Sequence, residues 1–257
     1  MRKEMTKQVV LMYHDVYADD TSESGFQNVG AMPYKVTRKE FEQQVALIHG
    51  YCQEKGIDKS NISFTFDDGG RSFLYIIAEV LERYGFWGTF FIATAYIDTA
   101  GFLTKDEVKE LRKRGHLIGT HSHTHPERMD TLQEAKLQEE WDVSCSILSK
   151  ILDEPVSMAS IPNGFSSKAV LQAMVDNGIT LIYDSTPTTK KRSYKGVTVV
   201  GRYAVTNDMS PESVLNIIKS PSKRSLISLR CGILKLAKVI LGDSYLRIRD
   251  LLLKKSK

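Results

Sequence analysis

Thr65-Phe66-Asp67-Asp68-Gly69 and His121-Ser122-His123-Thr124-His125-Pro126 supply two adjacent carboxylates and, further along, two imidazoles four residues apart. Together such groups can hold one divalent cation and leave a second carboxylate free as a base, which is hydrolase chemistry. Two carboxylates on consecutive residues cannot both be buried and ionised without a cation, because desolvation and mutual repulsion each raise the carboxyl pKa. A metal resolves the conflict: one carboxylate ligates it while the other takes a proton from water. The alternative for Asp67-Asp68 is a solvated turn leading into Gly69-Gly70. His121 and His125 can meet one ion if their segment is a helical turn or a tight loop. The alternative is a set of surface histidines, or histidines satisfied in the core. Three of the six histidines fall within five residues just after an apolar run, which argues against chance scatter. His123 lies between the two others and points elsewhere, as a supporting or structural residue.

Short β-rich runs surround these residues at Gln8 to Tyr13, Ile62 to Phe66, Gly88 to Ile92, His116 to Thr120, Val156 to Ile161, Thr180 to Tyr183 and Thr198 to Tyr203. Helix-length amphipathic segments lie between most of them. Thr37 with Glu40, Thr104 with Glu107 and Thr131 with Glu134 have capping-box spacing. Gly56, Gly85, Gly115 and Gly178 fall where helices should end, and Pro211 suits a first helical turn. Seven strands alternating with helices point to parallel βαβ units in an incomplete barrel, with a doubly wound sheet as the alternative. In either architecture ligands gather beyond the carboxyl ends of the strands. His14-Asp15, Asp67-Asp68, His121 to His125 and Pro162-Asn163-Gly164 all follow strands, so all four face one site. Tyr17 to Lys35 reads as a rim loop with hydrophobic anchors, and Ser185 to Gly196 as a second irregular piece.

A chain of 257 residues, 42% of them apolar, can bury one large core. Its three cysteines, Cys52, Cys145 and Cys231, are scattered and suggest neither a disulfide framework nor a cysteine zinc site. The apolar run Val9 to Met12 is too short for a secretory signal, and no stretch reaches the roughly twenty apolar residues that span a bilayer. The expected location is the cytoplasm.

The Thr-Phe-Asp-Asp-Gly and His-Ser-x-x-His-Pro segments, with Gly88-Thr89-Phe90-Phe91 and Gly115 to Thr120, resemble the polysaccharide deacetylase family, the NodB-type carbohydrate esterases. The resemblance runs from about Val9 to Tyr203 and implies a distorted (β/α)7 barrel. It also implies that Asp67 is the general base and that Asp68, His121 and His125 hold one zinc-like divalent ion, for hydrolysis of an N-acetyl group to free amine and acetate. The family's Arg-x-Pro-aromatic motif corresponds here to Ser160-Ile161-Pro162-Asn163, so the Pro is kept while the Arg and the aromatic are not. The Asn163 N–H can still serve a developing oxyanion. Arg202, at the end of the seventh strand, is the candidate for orienting Asp67, against the alternative of a surface arginine. The family's Leu-x-x-His acid is absent, since no histidine follows His125, and so is its Asp-x-x-x-Trp element. Tyr13-His14-Asp15-Val16 resembles the branch that deacetylates exopolysaccharides and cell-envelope glycans. It makes His14 the candidate general acid with Asp15 as partner, against a purely structural strand-end histidine.

The net charge of +4 is uneven: Lys223 to Lys257 carries ten Lys/Arg against Asp243 and Asp250, or +8, leaving −4 for residues 1–222. The expected organisation is therefore a barrel over 1–222 and a basic amphipathic helical tail over 223–257. That tail fits the cytoplasmic face of a membrane, or else packs on the barrel with a basic outer face. The expected substrate is an N-acetylated sugar of a cell-envelope glycan or its lipid-linked precursor, and no nucleic-acid partner is expected. A different metal-dependent amide hydrolase or deformylase and a sugar-binding pseudoenzyme at the membrane are the alternatives.

Overall fold

The computed structural model describes residues 8–241, with side chains as far as Ile233. In chain order the strands are β1 (Val9–Tyr13), β2 (Val16–Tyr17), β3 (Val36–Thr37), β4 (Ile62–Phe66), β5 (Gly88–Ile92) and β6 (Leu117–Thr120). They continue as β7 (Met158–Ser160), β8 (Leu181–Asp184), β9 (Arg192–Tyr194), β10 (Val197–Gly201) and β11 (Tyr203–Ala204). The helices are α1 (Arg38–Lys55), α2 (Glu79–Arg83), α3 (Lys105–Lys113), α4 (Glu134–Leu152), α5 (Lys168–Asp176), α6 (Pro211–Lys219) and α7 (Pro221–Leu241).

One curled sheet runs in the order β11-β1-β4-β5-β6-β7-β8-β10-β9, parallel throughout except for β9, which pairs antiparallel with β10. The seven expected strands are present, but the seventh divides around Arg202. β10 lies along β8 and, one residue later, β11 lies along β1, so the chain itself bridges the seam of the distorted barrel at Arg202. β9 comes from the segment expected to be irregular, where Arg192–Tyr194 folds back on the edge of β10.

Register brings the strand-end residues to one level. Tyr13 lies opposite Phe66, so His14 and Asp67 leave β1 and β4 together. Thr120 lies opposite Ala159, which puts His121 beside Ser160, and Gly201 lies opposite Asp184 just before Arg202. Beneath that level Phe64, Phe66, Phe73 and Phe90 are buried, and Phe73 stacks on Phe90 with ring centroids 4.9 Å apart. A second buried cluster, with Trp141, Ile161, Met174 and Ile182, joins β7 and β8 to α4 and α5.

Thr37 and Thr104 form the expected capping boxes with Glu40 and Glu107. Thr131 does not. α4 starts at Glu134 with Gln133 before it, and the Thr131 hydroxyl donates to the Arg128 carbonyl inside a separate turn.

At the opposite end of the barrel, His116 is fully buried. Its Nδ1 accepts from the Gly88 N–H at 3.0 Å, so its Nε2–H faces Glu82 Oε1 at 2.9 Å. Burial lowers the His116 pKa despite Glu82. A histidine held neutral in this way contributes stability above its unfolded value of 6.5, and that contribution is lost as pH falls below it. His116→Leu should cost about 1–3 kcal/mol in urea denaturation at neutral pH, by stranding the Gly88 N–H, and should flatten the loss of stability on acidification.

Candidate active site

Asp68, His121 and His125 each offer one atom to a cluster whose members all lie within 4.8 Å of one another. Asp68 Oδ1 lies 3.4 Å from His121 Nε2 and 3.3 Å from His125 Nε2, yet it makes no hydrogen bond and is buried from solvent. The reason follows from His121 Nδ1, which sits 3.0 Å from the Ser160 carbonyl. A carbonyl only accepts, so Nδ1 carries the proton and the lone pair of neutral His121 is on Nε2, facing the carboxylate. Two lone pairs held face to face repel, and a cation between them converts the repulsion into ligation. One carboxylate oxygen and two imidazole nitrogens are a donor set suited to zinc or a similar borderline ion, with coordination positions left for water and substrate. Burial pushes the Asp68 carboxyl up, but with the His14, His121 and His125 rings protonated their positive charge outweighs burial and holds it well below the ordinary value; with His121 and His125 neutral, that role falls to a bound cation.

The backbone around these groups is strained. Asp68, Ser122 and His125 have φ of 90°, 65° and 55°, a region that L residues seldom adopt. Neighbours hold it in place: Ala93 N–H donates to the Asp68 carbonyl at 3.2 Å and His125 N–H to Ser122 Oγ at 3.3 Å. Buried Glu140 of α4 accepts from the His123 and Thr124 N–H groups at 3.0 and 2.8 Å, tying down the histidine loop. His123 itself turns away, with Nδ1 2.9 Å from Thr94 Oγ1.

Asp67 is fastened separately. Arg202 Nη1 donates to Asp67 Oδ1 and Nη2 to Oδ2, both at 2.7 Å, and Ser160 Oγ donates to Oδ2 at 3.1 Å. Arg202 is 1% exposed and also donates through Nε to the Asp184 carbonyl and through Nη1 to Thr65 Oγ1, each at 3.3 Å. Burial raises the Asp67 carboxyl, while the Arg202 guanidinium, followed by the His121 ring, lowers it by more, so the group stays ionised at neutral pH.

His14 reaches the same level, beside both carboxylates, with its ring 4.4 Å from that of Tyr34 and its buried Nδ1 lacking a hydrogen bond. Asp15 is not its partner. Its carboxylate accepts from Ser24 Oγ at 2.7 Å and Ser72 Oγ at 3.1 Å and lies 3.6 Å from buried Lys35 Nζ, because β1 ends where the rim loop returns. Asp15 therefore latches the loop that carries Phe26, whose ring packs 5.0 Å from that of His125. Asn163 is exposed beyond β7, left-handed at φ 53°, and its N–H makes no hydrogen bond among the described residues.

A sequence model of the polysaccharide deacetylase family matches residues 54–182, just over half of the chain. The chain belongs to that family. The matched span contains Asp67, Asp68, His121, His125 and Ser160. An uncharacterised 30.6 kDa protein of Geobacillus stearothermophilus is 33% identical over 115 residues, which are 44% of this chain and 42% of that protein. Among solved structures, the Streptococcus pyogenes deacetylase PplD in complex with acetate superposes with a TM-score of 0.69 at 20% identity, over 83% of this chain and 98% of that one. IcaB from Ammonifex degensii gives 0.66 at 20% identity, over 82% and 97%. At these identities the two structures show a shared fold.

Within this family member, Ser160 stands where the motif arginine was expected, and the guanidinium arrives instead from Arg202 at the barrel seam. Ser160 joins the two, accepting from Arg202 Nη2 at 2.7 Å. Sequence reasoning missed Ser160 and Glu140. For Glu140 a signal existed: a lone acid between Leu137, Trp141 and Ser144 on the buried face of α4 must have a partner.

Proposed function

We propose that the protein removes the N-acetyl group from an amino sugar of a cell-envelope glycan or its lipid-linked precursor, using one divalent ion, zinc, held by Asp68, His121 and His125. The observation that carries this is the juxtaposition of an unsatisfied Asp68 Oδ1 and two imidazole Nε2 atoms with a separately clamped, ionised Asp67. What a bound divalent ion supplies there is Lewis acidity toward the acetamide carbonyl. Asp67 takes a proton from the attacking water, and Arg202 and Ser160 keep its carboxylate ionised and aimed. The Asn163 N–H donates to the carbonyl oxygen as negative charge builds on it. His14 delivers a proton to the amide nitrogen as the C–N bond breaks, so acetate and a free amine leave. Family membership supports the reaction class.

The test is acetate release from a panel of N-acetylated sugars and lipid-linked sugars. Chelation should abolish activity on the preferred substrate and Zn²⁺ should restore it; activity indifferent to chelation would end the proposal. A protein that binds zinc and sugar but releases no acetate from any of them would instead be a binding protein.

Proton and cation also compete for His121 Nε2. Burial lowers the His121 pKa, but the Asp67 and Asp68 carboxylates raise it by more. Zn²⁺ affinity measured by calorimetry should therefore weaken as pH falls through the histidine range, with proton release on binding.

A further inference from the structure

α7 has two faces of opposite character. Arg224, Ile227, Ser228 and Cys231 recur at helical spacing and are half-buried. Arg224 Nη1 donates to the carbonyls of Ile217 and Ile218 at 2.7 Å each, at the end of α6. Ser228 Oγ donates to the Pro187 carbonyl, in the loop after β8 at the catalytic end of the barrel. Ile227 packs against the main core. This face fixes the rotation of the helix. The other face then presents Leu226, Leu229 and Ile233 to solvent at 60%, 62% and 59% exposure, flanked by Arg230.

Three large apolar side chains in one helical stripe are more than scattered surface residues, and they need a partner. Charge says which. The sequence from Lys223 onward carries +8 against −4 for the rest, five of its ten Lys/Arg and neither of its two acids falling within α7, so an anionic surface is attracted to this end of the chain. Apolar residues with adjacent cations suit a bilayer interface, where side chains enter the acyl boundary and cations meet phosphate headgroups. No helix among the described residues is long and apolar enough to cross a membrane.

We infer that the exposed face of α7 is a docking surface for an anionic phospholipid bilayer, lying flat on it and holding the catalytic end of the barrel near the membrane. This surface stands apart from the active site, and its test does not depend on the deacetylase reading. The full chain is sedimented with vesicles of phosphatidylcholine alone or mixed with phosphatidylglycerol, at low and high salt. Binding should require phosphatidylglycerol and weaken with salt. The triple variant Leu226→Ser, Leu229→Ser, Ile233→Ser should bind at least about tenfold more weakly. Because those side chains are exposed, its melting temperature should match the wild type. Arg230→Glu should weaken binding by a smaller factor and reduce its salt dependence. Equal binding to both vesicle types, or wild-type binding by the triple variant, would overturn the inference. So would a wild-type oligomer in sedimentation velocity that the triple variant dissolves, since a second copy would then cover the stripe.

Discussion

Asp67→Asn is expected to lower kcat/KM for deacetylation by about 10²–10⁴-fold, the range a positioned general base contributes. Asn is nearly isosteric but cannot take a proton from water, whereas Asp68, His121 and His125 are left untouched. Zn²⁺ affinity should therefore change far less than turnover, and calorimetry beside acetate release separates the two. The same substitution would remove the negative partner of Arg202, which is 1% exposed. Breaking a buried pair costs several kcal/mol, so the assays need a temperature at which circular dichroism shows the variant folded. A folded, zinc-loaded variant with wild-type turnover would show that the base lies elsewhere.

The ingredients of the site were legible because they are local. Asp67-Asp68 and His121 to His125 sit in short segments after strands, and a parallel sheet must collect such segments at one end. The arrangement around them was less legible, because it depends on register and return paths. Asp15 follows His14 directly, yet its carboxylate is drawn to Lys35, twenty residues on, by the path of the rim loop. Adjacent residues leaving a strand point to opposite sides, so sequence proximity was a poor guide to partnership. The division of the last strand was hidden for a similar reason. Thr198 to Tyr203 reads as one β-rich run, and only its pairing first with β8 and then with β1 reveals the seam at Arg202.

That seam carries the second large effect. Arg202→Met should destabilise the fold by about 3–5 kcal/mol, because it leaves the Asp67 carboxylate buried without its bidentate partner. Its effect on activity should take a particular form. Burial raises the Asp67 pKa and Arg202 is the leading influence that lowers it, so removing Arg202 shifts that pKa upward. The base is then protonated up to a higher pH, and the acid limb of the kcat/KM profile should move to higher pH. Arg202→Lys keeps a charge but cannot grip both oxygens, and should fall between wild type and Met in both stability and pH profile. In the double variant Asp67→Asn, Arg202→Met the losses should be far from additive, since each single change strands the other residue. A simple loss of stability with an unmoved acid limb would reduce Arg202 to a structural brace. A moved limb would identify it as the group that relocates the family's missing arginine to the far edge of the sheet while keeping its influence on the same carboxylate.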